Sequence, residues 1–249
     1  MGILHRKFYE SVVSINIVNN SSSIVTIGSG FLISYKNLKY VITNKHVLQG
    51  INSFLVNLSG STSKNNRHMI FKIGDGYEKS YHPNPNVDLV AIEISIERNL
   101  EGAYYLPLER TSLKIKDLKS MGVFEGDEIF IIGHPMNLTL ENHLFPIVRS
   151  GVIAQISPLY EFESELKSFK LDCLAFPGNS GSPVYLKPQF VTYKDTQSIK
   201  EMKLIGIMNG GWQSKNPNNQ LLNLELTASI AVDHLFELLN HKISEQLNN

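Results

Sequence analysis

The chain of 249 residues holds one cysteine, Cys173, so no intrachain disulfide can staple it. A secreted β-rich protein would usually carry several, and the single thiol favours a reducing compartment. Net charge is also missing: 23 basic residues offset 23 acidic ones, leaving +0. That balance gives no general pull toward nucleic acid or an anionic membrane. No apolar run is long enough to span a bilayer. The first residues, Met1 to Lys7, have no apolar core of signal-peptide length. Arg6 stands where a myristoylation signal would want Ser or Thr. These absences set the expectation of a soluble cytoplasmic protein without nucleic-acid or membrane partners.

What is present is apolar residues in short, punctuated runs. Hydrophobic residues make up 42% and charged ones 18%, enough for one sizeable core or two small ones packed together. From Ser11 to Val18, apolar residues alternate through Val13, Ile15 and Ile17, the period of a half-buried strand. Similar runs follow between Gly and Asn clusters: Ile24–Ile27, Phe31–Ser34, Lys39–Thr43, Asp88–Ile94, Gly126–Gly133, Phe145–Ile156, Phe169–Ala175, Pro183–Leu186, Lys203–Asn209 and Leu221–Ile230. Residues 57–68 and 187–202, rich in Ser, Asn, Lys, Gln and Thr, are expected to be loops. Only the C-terminus changes period. Val232, Leu235, Phe236, Leu239 and Ile243 predict an amphipathic helix over about 231–247.

Three places carry chemistry. Phe176-Pro177-Gly178-Asn179-Ser180-Gly181-Ser182-Pro183 presents a hydroxyl on a turn in which Gly178 removes the Cβ. The N–H groups of Gly178 and Ser180 can then converge as an oxyanion hole. The same composition also makes an ordinary turn between strands. His46 follows a strand in Thr43-Asn44-Lys45-His46-Val47, where a rigid element would hold it, though the chain has 8 histidines. Asp88 enters an apolar strand, where its carboxylate is costly unless a group such as an imidazole N–H donates to it. His68, His82, His134 and His143 show no metal-ligand spacing. Cys173 reads as a core residue.

Together these motifs run in the order His, Asp, Ser, the order of the chymotrypsin-type triad. From Ile24 to Leu239 the chain resembles trypsin-like serine peptidases of the chymotrypsin fold, particularly the disulfide-poor bacterial group that includes the HtrA proteases. Gly28-Ser29-Gly30-Phe31 and the strand from Gly126 to Pro135 add to the likeness. The resemblance implies an all-β architecture: two packed six-stranded antiparallel β-barrels, at about 10–110 and 120–230, with a C-terminal α-helix in one peptidase domain spanning 1–249. It implies His46, Asp88 and Ser180 as catalytic residues, and Gly178, Asn179 and Ser180 as oxyanion donors. Leu174 would lie at the base of the primary pocket, with Asn209, Gly210 and Gly211 as its wall. No cofactor or metal is implied, and the partner is a protein or peptide substrate.

Leucine at the pocket base points to an apolar P1 residue, unless the Glu225 carboxylate enters and admits Lys or Arg. Trp212, beside the wall, can stack on substrate or pack. Two departures stand out. Asn179 replaces the aspartate that pairs with a freshly cut N-terminus in digestive members, so activation by N-terminal cleavage is not expected. Ser182 replaces the second glycine after the nucleophile. Unlike HtrA proteins, no room for a PDZ domain is expected after the helix. A partner-gated protease and a silent binding module are the alternatives, with loops 57–68 and 187–202 as docking candidates for a regulatory protein.

Overall fold

The computed structural model describes residues 6–19, 22–58, 68–72, 77–94, 103–138, 145–162, 167–189, 198–215 and 221–248; the side chains of 68, 137, 212–215, 221–225 and 248 lie outside the described set. A short helix α1 (Arg6–Glu10) leads into β1 (Val12–Val18), β2 (Ile24–Tyr35) and β3 (Leu38–Thr43). Strands β4 (Ser53–Leu58), β5 (His68–Lys72), β6 (Lys79–Tyr81), β7 (Val90–Glu93) and the two-residue β8 (Leu106–Pro107) complete the first half. Helices α2 (Leu108–Thr111) and α3 (Ile115–Met121) lead into the second. There β9 (Glu128–Gly133), β10 (Ile147–Gln155), the one-turn α4 (Pro158–Glu161), β11 (Ser168–Asp172), β12 (Pro183–Leu186), β13 (Lys203–Lys215) and β14 (Leu221–Ala231) precede α5 (Val232–Asn248).

The second half closes into a six-stranded antiparallel barrel, β10-β11-β14-β13-β12-β9. The first half is an opened barrel instead of the closed one expected. Its order is β5-β4-β1-β2-β3-β7-β6, with β8 parallel to β2. Among the described residues no pairing joins β5 to β6; β6 is only three residues long and offers few ladder hydrogen bonds. The fold is otherwise the mostly-β, two-unit architecture with a C-terminal helix that the motifs imply.

The strands at 11–18 and 126–135 were expected to be half-buried and that at 203–211 buried; several strands are buried on both faces. In β2, Leu32 points into the first half while Phe31 and Ile33 point into the seam between halves. In β3, Val41 points inward and Tyr40 and Ile42 face the seam. The second barrel mirrors this: Ile129 and Ile131 of β9 line its interior while Ile132 faces the seam, and Val184 and Leu186 of β12 flank the seam-facing Tyr185. Opposite faces of one strand thus fill two cores, which is why these segments read as continuous apolar runs. Helix α5 covers one end of the seam with Val232, Leu235, Phe236 and Leu239, each buried side chain contributing about 1.5–3 kcal/mol. It is pinned at its start by Asp233, whose Oδ2 accepts the Ile115 N–H at 2.9 Å.

Of the two expected loops, 187–202 is closed by Gln189 and Ile199, which exchange backbone hydrogen bonds of 2.8 and 3.2 Å. Its residues 190–197, and residues 59–67 of the other, lie outside the described residues. No described helix is long and apolar enough to cross a membrane.

Candidate active site

Antiparallel register places the first two residues. Thr43, the last residue of β3, pairs with Val90, the first of β7. The segments just beyond, leading to His46 and back from Asp88, therefore lie side by side. Asn44 Nδ2 and the Lys45 N–H both donate to Asp88 O, at 2.9 and 3.4 Å. A 3₁₀ turn, His46–Leu48, then lifts the imidazole off the sheet. Asp88 accepts the His46 N–H on Oδ1 at 2.9 Å and meets His46 Nδ1 with Oδ2 at 2.5 Å. Burial alone would push the Asp88 carboxyl up, but the hydrogen bonds from the His46 ring and backbone outweigh it and hold the group below its usual range. An ionised carboxylate only accepts, so the ring proton sits on Nδ1 and Nε2 keeps a free lone pair. His46 is about half exposed, 46% for its side chain, against 20% for Asp88.

The third residue sits in the loop between β11 and β12, and the other half of the molecule holds that loop. Ser29 of β2 donates its N–H to Ser180 O at 2.8 Å and its Oγ to Gly178 O at 2.7 Å. The same Oγ accepts the His134 N–H at 2.8 Å. Gly28 allows the approach: a Cβ there would lie 2.6 Å from Val47 and 3.3 Å from Ser180 O. The His46 turn and the Ser180 loop thus meet across one glycine. Gly178 has φ +92°, and a Cβ on it would lie 2.5 Å from His134 O, so only glycine fits. The preceding carbonyl, Pro177 O, accepts the Met136 N–H at 2.7 Å.

Sequence reasoning missed Ser29 and Met136 as loop-holding groups. Ser29 stood inside a quoted motif without a role, and the Met136 contribution is a backbone N–H that no side-chain type announces. The Asn179 N–H donates to Phe176 O at 3.0 Å, and its side chain is buried. Ser182 is tolerated in place of glycine; it is fully buried and exchanges backbone bonds with Asn179 O and the Met208 N–H.

Of the expected pocket residues, Leu174 is 43% exposed. Gly210 has φ +144°, and a Cβ on it would meet nothing within 4 Å. A Cβ on Gly211 would reach only Ala175, at 3.9 Å. Gly210 and Gly211 therefore have open space beside them, with Ala175 at its edge, whereas Asn209 Oδ1 is buried. The Glu225 and Trp212 side chains lie outside the described residues, as does His143. Cys173 is buried, as expected of a core residue, and burial pushes its thiol up. Away from this site, His82, His234 and Glu237 bring three ligand atoms within 4.8 Å of one another, a grouping hidden from spacing arguments by the length of chain between its members.

A His–Asp pair and a Gly-Asn-Ser-Gly turn, brought near each other at Gly28 where two antiparallel β units meet, belong to a chymotrypsin-like architecture. The chain belongs to the trypsin-like peptidase domain family, which matches residues 28–189 and so takes in His46, Asp88 and Ser180. No curated protein matches it. Among solved structures it is similar to the HtrA-type protease AlgW with tripeptide, at 18% identity and a TM-score of 0.57, over 96% of this chain and 62% of that one. It is also similar to a serine endoprotease from Yersinia pestis, at 20% identity and a TM-score of 0.53, over 97% of this chain and 64% of that one. The chain thus spans less than two thirds of the length of either, and at these identities the likeness concerns the fold.

Proposed function

We propose that this chain is a serine endopeptidase acting through His46, Asp88 and Ser180. The observation that carries the reading is the His46–Asp88 pair at 2.5 Å, set across Gly28 from a Ser180 loop whose Gly178 has φ +92°. In this reading Ser180 Oγ attacks the scissile carbonyl while His46 Nε2 takes its proton. Asp88 keeps the ring in the required tautomer and stabilises its charged form. The N–H groups of Gly178 and Ser180 hold the oxyanion. Collapse of the tetrahedral intermediate breaks the C–N bond, and His46 returns the proton to the leaving amine. Water, activated by the same imidazole, then releases the acyl group from Ser180.

The substrate is an unfolded or extended protein or peptide; the solved relative with tripeptide supports this class. An apolar P1 side chain suits open space flanked by Leu174, Asn209, Gly210 and Gly211, where a cation would find no described countercharge. A P1-varied peptide library tests this, and strong turnover after Arg would overturn it.

The deciding experiment is labelling with a fluorophosphonate probe. A single adduct on Ser180, abolished by Ser180→Ala, supports the enzyme. A folded chain that takes no label at Ser180 is the silent binding module instead. Partner gating is not favoured, because the contacts that order the nucleophile loop, from Ser29 and Met136, come from the chain itself. The reading therefore expects labelling of the isolated chain.

A further inference from the structure

Helix α5 carries His234 and Glu237 on one face, three positions apart, and that face meets His82, in the connection from β6 to β7. The rings of His82 and His234 are edge-to-face with centroids 4.8 Å apart. His234 Nδ1 lies 2.8 Å and His82 Nε2 3.3 Å from the same oxygen, Glu237 Oε2. Both imidazoles are 3% exposed, whereas Glu237 is 41% exposed and opens the cluster to solvent. Ligands around a tetrahedral zinc ion, at about 2.0–2.1 Å from it, stand roughly 3.3 Å apart; the two spacings to Glu237 Oε2 are close to that, and the three donor atoms lie within 4.8 Å of one another, so the two rings draw together on binding.

We propose that His82, His234 and Glu237 form a binding site for a zinc-class divalent cation that clips α5 to the first β half. Two imidazoles and one carboxylate are a donor set that zinc favours, with water as the fourth ligand on the exposed side. The surroundings suit both the metal-free and the metal-bound state. Without metal, the two ring N–H groups donate to Glu237 Oε2. With metal, each ring proton moves to the other nitrogen. His82 Nδ1 accepts the Asn84 N–H at 3.0 Å in the metal-free tautomer; in the metal-bound tautomer its proton turns to Asn84 O, 3.4 Å away, the outer acceptor that a metal-bound imidazole uses, and the Asn84 N–H gives up that bond. His234 Nε2 is buried without a partner, an unpaired acceptor without metal and an unpaired donor with it. Lys167 pairs with the other carboxylate oxygen, Oε1, leaving Oε2 to the histidines; its side chain is 32% exposed and can swing into water to relieve repulsion.

The site lies next to the segment that presents Asp88, since His82 donates its N–H to Leu89 O at 3.4 Å. Its existence does not rest on the peptidase reading, and its test needs no turnover. Ser180→Ala protein, stripped with chelator, is titrated with zinc by calorimetry and with cobalt(II) by visible absorption. The expected result is one ion per chain, cobalt bands of tetrahedral intensity, and a Tm raised by about 5–10 °C at a hundredfold excess over Kd. Binding is expected to vanish in His82→Gln and His234→Ala, persist in His46→Ala and His241→Ala, and tighten several-fold in Lys167→Met. Should either histidine variant fail to fold, anomalous scattering at the zinc edge from crystals of the Ser180→Ala protein locates the ion directly. No binding, or binding that survives both substitutions but is lost in His46→Ala, overturns the proposal, as does an anomalous peak anywhere but between these three side chains.

Discussion

The carbonyl of Pro177 is held by the backbone N–H of Met136 at 2.7 Å. That bond fixes the orientation of the peptide unit whose other end is the Gly178 N–H, the group proposed as an oxyanion donor. Met136 adopts φ +52°, a left-handed conformation, although its side chain is an exposed methionine (59%). A non-glycine residue there costs about 1 kcal/mol, so the surrounding chain holds a mildly strained turn in order to present one N–H.

Met136→Gly and Met136→Pro separate the strain from the hydrogen bond. Glycine keeps the N–H and relaxes the turn, so stability should stay level or rise by up to about 1 kcal/mol, with probe labelling at Ser180 unchanged. Proline removes the N–H and cannot reach positive φ; labelling should fall at least tenfold. Urea unfolding and labelling rates on both variants check this, and equal labelling by the two would show that the Pro177 carbonyl needs no anchor.

Asp88→Asn should keep the fold and lower kcat by about 10⁴. An amide facing His46 Nδ1 can donate to it, which moves the ring proton to Nε2 and removes the base. The stability effect has a definite sign. Asp88 is held below its ordinary value when folded and titrates near about 3.9 when unfolded. Its contribution is therefore fully present above about pH 4 and is lost as pH falls through the depressed folded-state value. The stability gap between wild type and Asp88→Asn should shrink as pH falls below about 4, as read by urea midpoints. A gap that widens with acid contradicts the assignment.

A second pH effect comes from a residue that sequence spacing passed over. His134 is fully buried with neither ring nitrogen partnered, and burial pushes its pKa down to about 3. The unfolded chain takes up a proton near about pH 6.5 and the native state does not. Stability tied to His134 is thus complete above that pH and declines as pH falls toward about 3, by up to about 1.4 kcal/mol per pH unit. His134→Leu should abolish this decline, gaining about 2 kcal/mol on wild type between pH 7 and pH 5. Parallel losses in the two proteins would mean that the ring finds a proton partner.

How much of this could be read beforehand follows from which groups do the work. The His46–Asp88 pair and the turn at Gly178 beside Ser180 were legible because a carboxylate at the entry of an apolar strand calls for a donor and a Gly-Asn-Ser-Gly run calls for a tight turn. Helix α5 was legible because Leu235, Phe236 and Leu239 keep a helical period. The zinc-class cluster was not, since His82 and Glu237 stand 155 positions apart and only the packing of α5 brings them together. The opened first barrel was not either, because the alternation that marks a strand carries no information about whether the last strand pairs with the first. Nor did alternation reveal burial on both faces; the seam between halves is a tertiary surface, and Phe31 and Leu32 look alike whichever core each one fills.

Ser29 tests whether the two halves cooperate in the site. Its fully buried Oγ joins Gly178 O to the His134 N–H, while its backbone N–H holds Ser180 O. Ser29→Ala keeps the backbone bond and deletes the bridge, stranding one buried acceptor and one buried donor. Each stranded group costs about 1–3 kcal/mol, partly recovered by relaxation, so a loss of roughly 2–3 kcal/mol is expected in urea unfolding. One of the stranded groups, Gly178 O, belongs to the peptide unit directly after the one that carries the Gly178 N–H, so the proposed oxyanion donor loses an anchor one unit away. Labelling at Ser180 should then slow by tenfold or more under conditions where the variant is fully folded, with KM for a peptide substrate nearly unchanged and kcat reduced. Ser29→Thr, which restores the hydroxyl, should recover part of the rate. A Ser29→Ala protein that is destabilised yet labels at the wild-type rate would mean that the bridge serves only to join the halves, and that Gly178 is set by its own φ and by the Met136 clamp.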